Sequence, residues 1–398
     1  MLLAMPLFLV VLFLANVYLR RMGADPDELA SPSRVLVAAP ESVSESECRE
    51  LADQWTKAAL SGNADAFESL IDFDEIGRRA SAGVPVDDRG LAASMKGFKL
   101  NFVSQFKDIP NQTGKRGSYR LVGIRQRDGT HRVLIRLVSE DSTINYHDLL
   151  VQRRPGGPPK VTDIDIAASG EPVTVTLHRY LVPVARRSGQ RTTAEQEHVD
   201  SIGRMTEMAQ LQAKGQHAQV LDCYRLLPKS RQREKIALIA RLRSATLVNR
   251  EEHESALRDL RKFHAGDPCL ALASMDFHLR YGDHQQLLDA VNELDRVVGG
   301  DPYLDVMRIS ALFGLKKDDD ALSALAAVSS WDDSHYQVQY ILLLTSIVSG
   351  QFENTDRHLT ILQQNFGFQL SEFESRPEFA EFVARESYQA WKKSRRDR

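Results

Sequence analysis

Two short stretches carry the residue types that chemistry needs. In Tyr146-His147-Asp148 a hydroxyl, an imidazole and a carboxylate stand side by side, and Asp163-Ile164-Asp165 follows soon after. A His–Asp pair is the usual make-up of a general base, which needs a nitrogen titrating near neutrality and a carboxylate to orient it. Two carboxylates one residue apart project from the same face of a strand and can hold a divalent cation. The aspartate pair has a plainer reading, because such alternation is also what a solvated sheet face looks like, and a base without a defined pocket carries little weight. Within a strand, Tyr146 and His147 point to opposite faces, so these residues cannot all line one cavity. Tyr146, His147 and Asp165 stand as candidate ligand-binding residues, not all on one face. No residue is assigned to catalysis or to a metal.

The remaining signals are thinner. His217, His253 and His284 recur at wide intervals, a spacing that suits packing or surface positions better than one metal centre. Cys48, Cys223 and Cys269 are odd in number and far apart, which suggests neither a disulfide framework nor a CxxC site and leans toward a reducing compartment. Asn111-Gln112-Thr113 spells a glycosylation sequon, a pattern too short to carry weight alone. GxGxxG, GxxxxGK[ST], GxSxG and HExxH are all missing, so nucleotide-binding, hydrolase and zincin readings lose their usual support, and no cofactor is expected. With 51 Lys+Arg against 54 Asp+Glu, the formal charge is -3. No nucleic-acid partner is expected from that balance, since non-specific binding needs a basic surface.

The elements that would position these groups begin with an anomaly. In the first 19 residues only Pro6 and Asn16 fall outside the hydrophobic set, and Arg20 and Arg21 follow. A helix of that length, at about 1.5 Å per residue, reaches nearly 30 Å and spans a bilayer core. A cleaved signal peptide is the rival, but no Lys or Arg precedes the apolar run. The small pairs Ala30-Ser31 and Ala38-Ala39 each run into proline. Residues 1–21 are therefore expected to be a single-pass membrane anchor. Arg20 and Arg21 lean the body toward the cytoplasm. Residues 22–43 read as a tether.

Residues 44–184 switch period. Ser44-Glu45-Ser46-Glu47 suits a helix start, and Cys48, Leu51, Trp55 and Ala58 recur at helical spacing. A short helix from Asn63 carries Phe67. A longer one carries Leu91, Met95, Phe98, Phe102 and Phe106, with Pro110 as its expected end. Strands are expected over 119–127, 131–140, 143–153 and 160–167, the first two joined at Asp128-Gly129. Val173–Val184 is open between strand and helix. Helices followed by a curved antiparallel meander make an α+β pattern. With Ala66–Asp74 and Tyr146-His147-Asp148, this segment resembles the NTF2-like (cone-shaped α+β) superfamily. That resemblance implies helices packed on a curved sheet around a cavity. Its members include isomerases, dehydratases and non-catalytic binding modules, and no catalytic signature carries over.

Residues 185–193 read as a linker, and 194–398 as helices of similar length broken by Gly, Asn, Asp or Pro. Turns near Gly215, Asn249, Gly282, Lys316 and Gly350 are spaced 34, 33, 34 and 34, and Asp267-Pro268 and Asp301-Pro302 share that step. A 34-residue helix-turn-helix period resembles tetratricopeptide repeats, although the consensus Trp, Tyr and Ala positions are poorly kept. The resemblance implies an all-α solenoid that binds protein partners on a concave surface. Phe379, Phe382, Tyr388 and Trp391 suit a C-terminal capping helix. The expected whole is a membrane-tethered, non-catalytic scaffold, with a small-molecule-binding protein or enzyme of the isomerase or dehydratase type as the alternative.

Overall fold

Ser44 caps the first helix by local chemistry. Its hydroxyl accepts from Glu47 N at 3.4 Å while Glu47 Oε2 accepts from Ser44 N at 3.0 Å, a reciprocal cap that satisfies two orphan N–H groups of α1 (Glu45–Leu60). The computed structural model describes residues 41, 43–84, 86, 88–185, 193–325, 335–348, 350–375 and 380–396. The apolar segment 1–21 and most of the tether lie outside them. Among the described residues no helix is long and apolar enough to cross a membrane. The fold is mixed α+β, with a five-stranded antiparallel sheet and many helices. The chain divides into two units. One holds the described residues up to Gln112 with Tyr119–Leu137 and Thr143–Ala273; the other holds Thr113–Ser118, Val138–Ser142 and Ser274–Arg398.

In the first unit, Asn63 caps α2 (Ala64–Ser69) and Asp72 caps α3 (Phe73–Ala80), a helix the sequence reading did not separate. Helix α4 (Asp88–Lys107) brings Phe98, Phe102 and Phe106 inward. Pro110 lies in a further short helix, α5 (Ile109–Thr113), instead of ending the chain's helical run. A proline is tolerated there because first-turn N–H groups have no intrahelical partner.

The sheet runs in the order β1 (Ser118–Arg127), β2 (Thr130–Val138), β3 (Ile144–Arg153), β4 (Pro159–Ile166), β5 (Glu171–Pro172). Asp128 (φ 52) and Gly129 (φ 72) are both left-handed, the geometry that matches strand twist in a two-residue hairpin. Upstream, Glu41 pairs with Arg153 through N→O bonds of 2.9 and 3.2 Å, and Val43 is buried, so the end of the expected tether is already part of the body.

The open segment after Pro172 is helical: α6 (Val173–Ala185). Its β-branched start is overridden from a distance. Asp163 Oδ1 accepts from Thr174 N at 3.2 Å and Oδ2 from Thr174 Oγ1 at 2.6 Å, supplying an N-terminal cap from a neighbouring strand. Arg179 then grips Glu171 with two bonds of 2.9 and 2.8 Å.

Helices α7 (Thr193–Ala213), α8 (His217–Arg225), α9 (Lys229–Gln232), α10 (Lys235–Val248), α11 (Arg250–Phe263) and the start of α12 (Pro268–Tyr281) complete this unit. Residues 186–192, most of the expected linker, lie outside the described residues. Gly170 (φ +67) is the point where the sheet meets these helices. Lys235 Nζ donates to Gly170 O and to Asp267, and Arg243 Nη2 donates to Ala168 O at 3.4 Å.

The second unit contains the end of α12, then α13 (His284–Val298), α14 (Leu304–Gly314), α15 (Asp318–Ala324), α16 (Tyr336–Val348), α17 (Phe352–Phe366), α18 (Leu370–Ser375), α19 (Ala380–Val383) and α20 (Glu386–Arg396). Helices join at left-handed residues: Gly215 (φ 71), Gly282 (φ 72), Lys316 (φ 59) and Gly350 (φ 71). Asn249 differs, being extended at φ -166 and capping α11 with its side chain. Helix α13 turns Leu287, Val291 and Leu294 fully inward, and α15 does the same with Ala321. Helix α20 buries Tyr388 and Trp391, with Trp391 Nε1 donating to Asp356 Oδ1 at 3.0 Å. Phe379 is outside the described residues.

Candidate functional site

The imidazole singled out from sequence lies inside the α+β part of the first unit. His147 is 2 % exposed, on the β3 face that turns toward the aromatic residues of α1 and α4. Trp55 and Phe67 have ring centroids 4.2 Å apart, Phe67 and Phe106 4.3 Å, and Phe106 and His147 5.6 Å. Aromatic rings at these separations gain offset and edge-to-face attraction beyond their burial.

A polar line threads these rings. Trp55 Nε1–H donates to Tyr119 Oη at 2.9 Å, and Tyr119 Oη lies 3.0 Å from His147 Nδ1. On the other side of the imidazole, Asn145 Nδ2 lies 3.3 Å from Nε2. Asn145 Oδ1 accepts from Tyr146 N at 2.8 Å and Ala168 N at 3.0 Å. Ala168 O in turn receives Arg243, so the line reaches from α1 to α10. Burial pushes His147 down to about 4 and Tyr119 well above the ordinary phenol range. The imidazole is neutral at neutral pH, and both ring nitrogens are engaged.

The other candidates are not brought to it. Tyr146 is also buried, at 1 %, but belongs to the opposite face of β3. Asp165 sits directly across from Asp148 in the β3–β4 register, while His147 faces Ile166. One guanidinium serves both carboxylates: Arg132 lies 2.9 Å from Asp165 and 3.0 Å from Asp148. Burial, reinforced by Asp148 and Asp163 and opposed by Arg132, raises the Asp165 pKa. The two carboxylates of the DxD pattern thus have separate employment, Asp163 as a helix cap and Asp165 in an ion pair.

His253 is fully buried in α11, and the His284 ring sits where any side chain on Gly314 would go, 2.3 Å from an added Cβ. Among the described residues no group of three or more His, Cys, Asp or Glu side chains could hold a metal. All three cysteines are free and buried, and burial raises each thiol, Cys48 to about 11 and Cys269 to about 12. Thiols held that high carry little thiolate at neutral pH. In the sequon, Asn111 is exposed in α5 with its amide bonded to Asp108 at 2.7 Å, while Thr113 is buried.

Trp55, Tyr119 and Asn145 are the residues that sequence reasoning missed. Trp55 was legible only as a core position of a helix, and Tyr119 lies 64 residues away along the chain. No spacing rule links two such positions.

The buried imidazole has a pH signature. Unfolded, His147 takes a proton near its ordinary 6.5; folded, it resists until about 4. Its contribution is fully present above 6.5 and is lost as the pH falls toward 4, amounting to about 3 kcal/mol. The lowered carboxylates Glu47 and Glu75 weaken only below their ordinary 4.5. Unfolding free energy measured between pH 7 and 5 should therefore fall in the native chain. His147→Gln should flatten most of that slope, and an identical slope in the variant would refute the assignment.

No protein-family model, curated protein or solved structure matches this chain.

Proposed function

We propose that the protein is a membrane-tethered, non-catalytic interaction scaffold, in which an NTF2-like α+β domain carries tetratricopeptide-like helix pairs that bind protein partners. The observation that carries this reading is the recurrence of helix-joining turns at 215, 249, 282, 316 and 350. In helical-repeat proteins of this class a pair's apolar stripe is covered by its neighbour, and the stacked pairs offer a surface suited to a protein ligand. The α+β interior supports the same reading. A general base needs an imidazole within reach of substrate and titrating near the working pH, whereas His147 is enclosed by aromatic rings and held neutral.

The N-terminal apolar segment supplies the anchor, with its two flanking arginines favouring a cytoplasmic body. In-cell cross-linking of the full chain, followed by mapping of linked peptides, tests the scaffold. Partner cross-links should concentrate in residues 194–398; links confined to 44–184 would overturn it. A chain lacking residues 1–22 should leave the membrane fraction, and one that still sediments with membranes would remove the anchor.

A further inference from the structure

Counting protons along the buried line leaves one of them without an acceptor. Trp55 Nε1 can only donate, so Tyr119 Oη accepts there. Asn145 Oδ1 accepts two backbone N–H groups, from Tyr146 and Ala168. That fixes the amide, because turning it over would aim its NH2 at both donors. Nδ2 is therefore the atom facing His147 Nε2, and Nε2 must accept. A neutral imidazole has one N–H, which then sits on Nδ1 and is donated to Tyr119 Oη. Tyr119 Oη thus accepts twice, from an indole and an imidazole, and its own O–H has no further partner among the described residues. Reversing the Tyr119–His147 bond only moves the difficulty, since an Nε2–H would then face the Asn145 NH2 at 3.3 Å.

An orphan hydroxyl proton at a site this buried costs about 1–3 kcal/mol, enough to favour a partner that supplies a lone pair. We propose that Tyr119 anchors an internal binding site for one uncharged oxygen acceptor. The shared chemistry is that of a structural water and of the carbonyl, hydroxyl or ether oxygen of a small, largely apolar molecule. Trp55 and His147 meet the hydroxyl, Phe106 packs on both of their rings, and none of the three brings a cation, so a buried anion there would lack compensation. This inference does not depend on the scaffold reading, which concerns the helix pairs.

The test uses the full chain throughout. With 15N-labelled histidine, long-range proton–nitrogen correlation should show His147 as the Nδ1–H tautomer, assigned by its loss in His147→Gln. An Nε2–H pattern overturns the proposal. A high-resolution crystal structure should then show a non-protein oxygen within hydrogen-bond range of Tyr119 Oη. Density holding only Trp55 and His147 around that atom, with the hydroxyl turned to a ring face, also overturns it. Organic extraction and mass spectrometry of the chain purified from its source cells distinguish the two origins. A single bound oxygen with nothing extracted establishes the water. An oxygen-bearing compound recovered at near-equal stoichiometry establishes the ligand, and Tyr119→Phe should reduce its recovery by about tenfold or more.

Discussion

Replacing Trp55 with alanine is expected to destabilise the first unit by about 3–5 kcal/mol, the range for emptying a large, fully enclosed aromatic site. Trp55 has no exposed surface, and it packs on Phe67 at 4.2 Å and on Phe106 at 5.3 Å, edge-on. The indole also fills one of the two acceptor positions on Tyr119. Deletion therefore opens a cavity in a region whose rings are braced against one another, where collapse is hindered. Trp55→Phe is the milder change. It keeps part of the ring contact while removing the N–H and some of the indole's volume, so it should cost about 1–3 kcal/mol, less than the alanine. Denaturant unfolding followed by far-ultraviolet circular dichroism measures both. If Trp55→Ala unfolds within about 1 kcal/mol of the native chain, this aromatic cluster is not where the α+β part is held together.

Trp55 also shows where sequence reasoning reaches and where it stops. Its helical spacing with Cys48, Leu51 and Ala58 announced a buried face, because a period of 3.6 is written in neighbouring residues. The hairpin at Asp128-Gly129 was legible for the same local reason: two consecutive left-handed residues are a property of the dipeptide. Helix α6 was not legible, since its cap comes from Asp163 on another strand and outweighs the preference of Val173, Thr174 and Val175 for extended backbone. Alternation along β3 correctly separated Tyr146 from His147. It did not reveal that both faces of the strand are buried there. The polar line has no local signature at all, because its members come from α1, β1 and β3.

The junction between sheet and helices gives the other large effect, and there a glycine is the sensitive residue. Gly170 has φ +67, and a Cβ added to it would lie 2.6 Å from Lys235 Cδ, 3.0 Å from Asp267 Oδ1 and 3.1 Å from Cys269 Cβ. Alanine would pay the left-handed backbone cost of roughly 1–2 kcal/mol wherever φ is positive. Gly129, at φ +72 with nothing within 4 Å of its Cβ, isolates that cost. Gly129→Ala should lose only this amount. Gly170→Ala should lose a further 1–3 kcal/mol or so, as its methyl group forces Lys235 away from Gly170 O and from Asp267. Lys235→Met should reproduce part of the deficit, because it leaves the Asp267 carboxylate without its ammonium partner while keeping the stem. The difference between the two glycine variants reads the junction directly. Equal losses would mean that the Ala167–Gly170 turn bears no load from the helices, and that α10 is held to the sheet elsewhere.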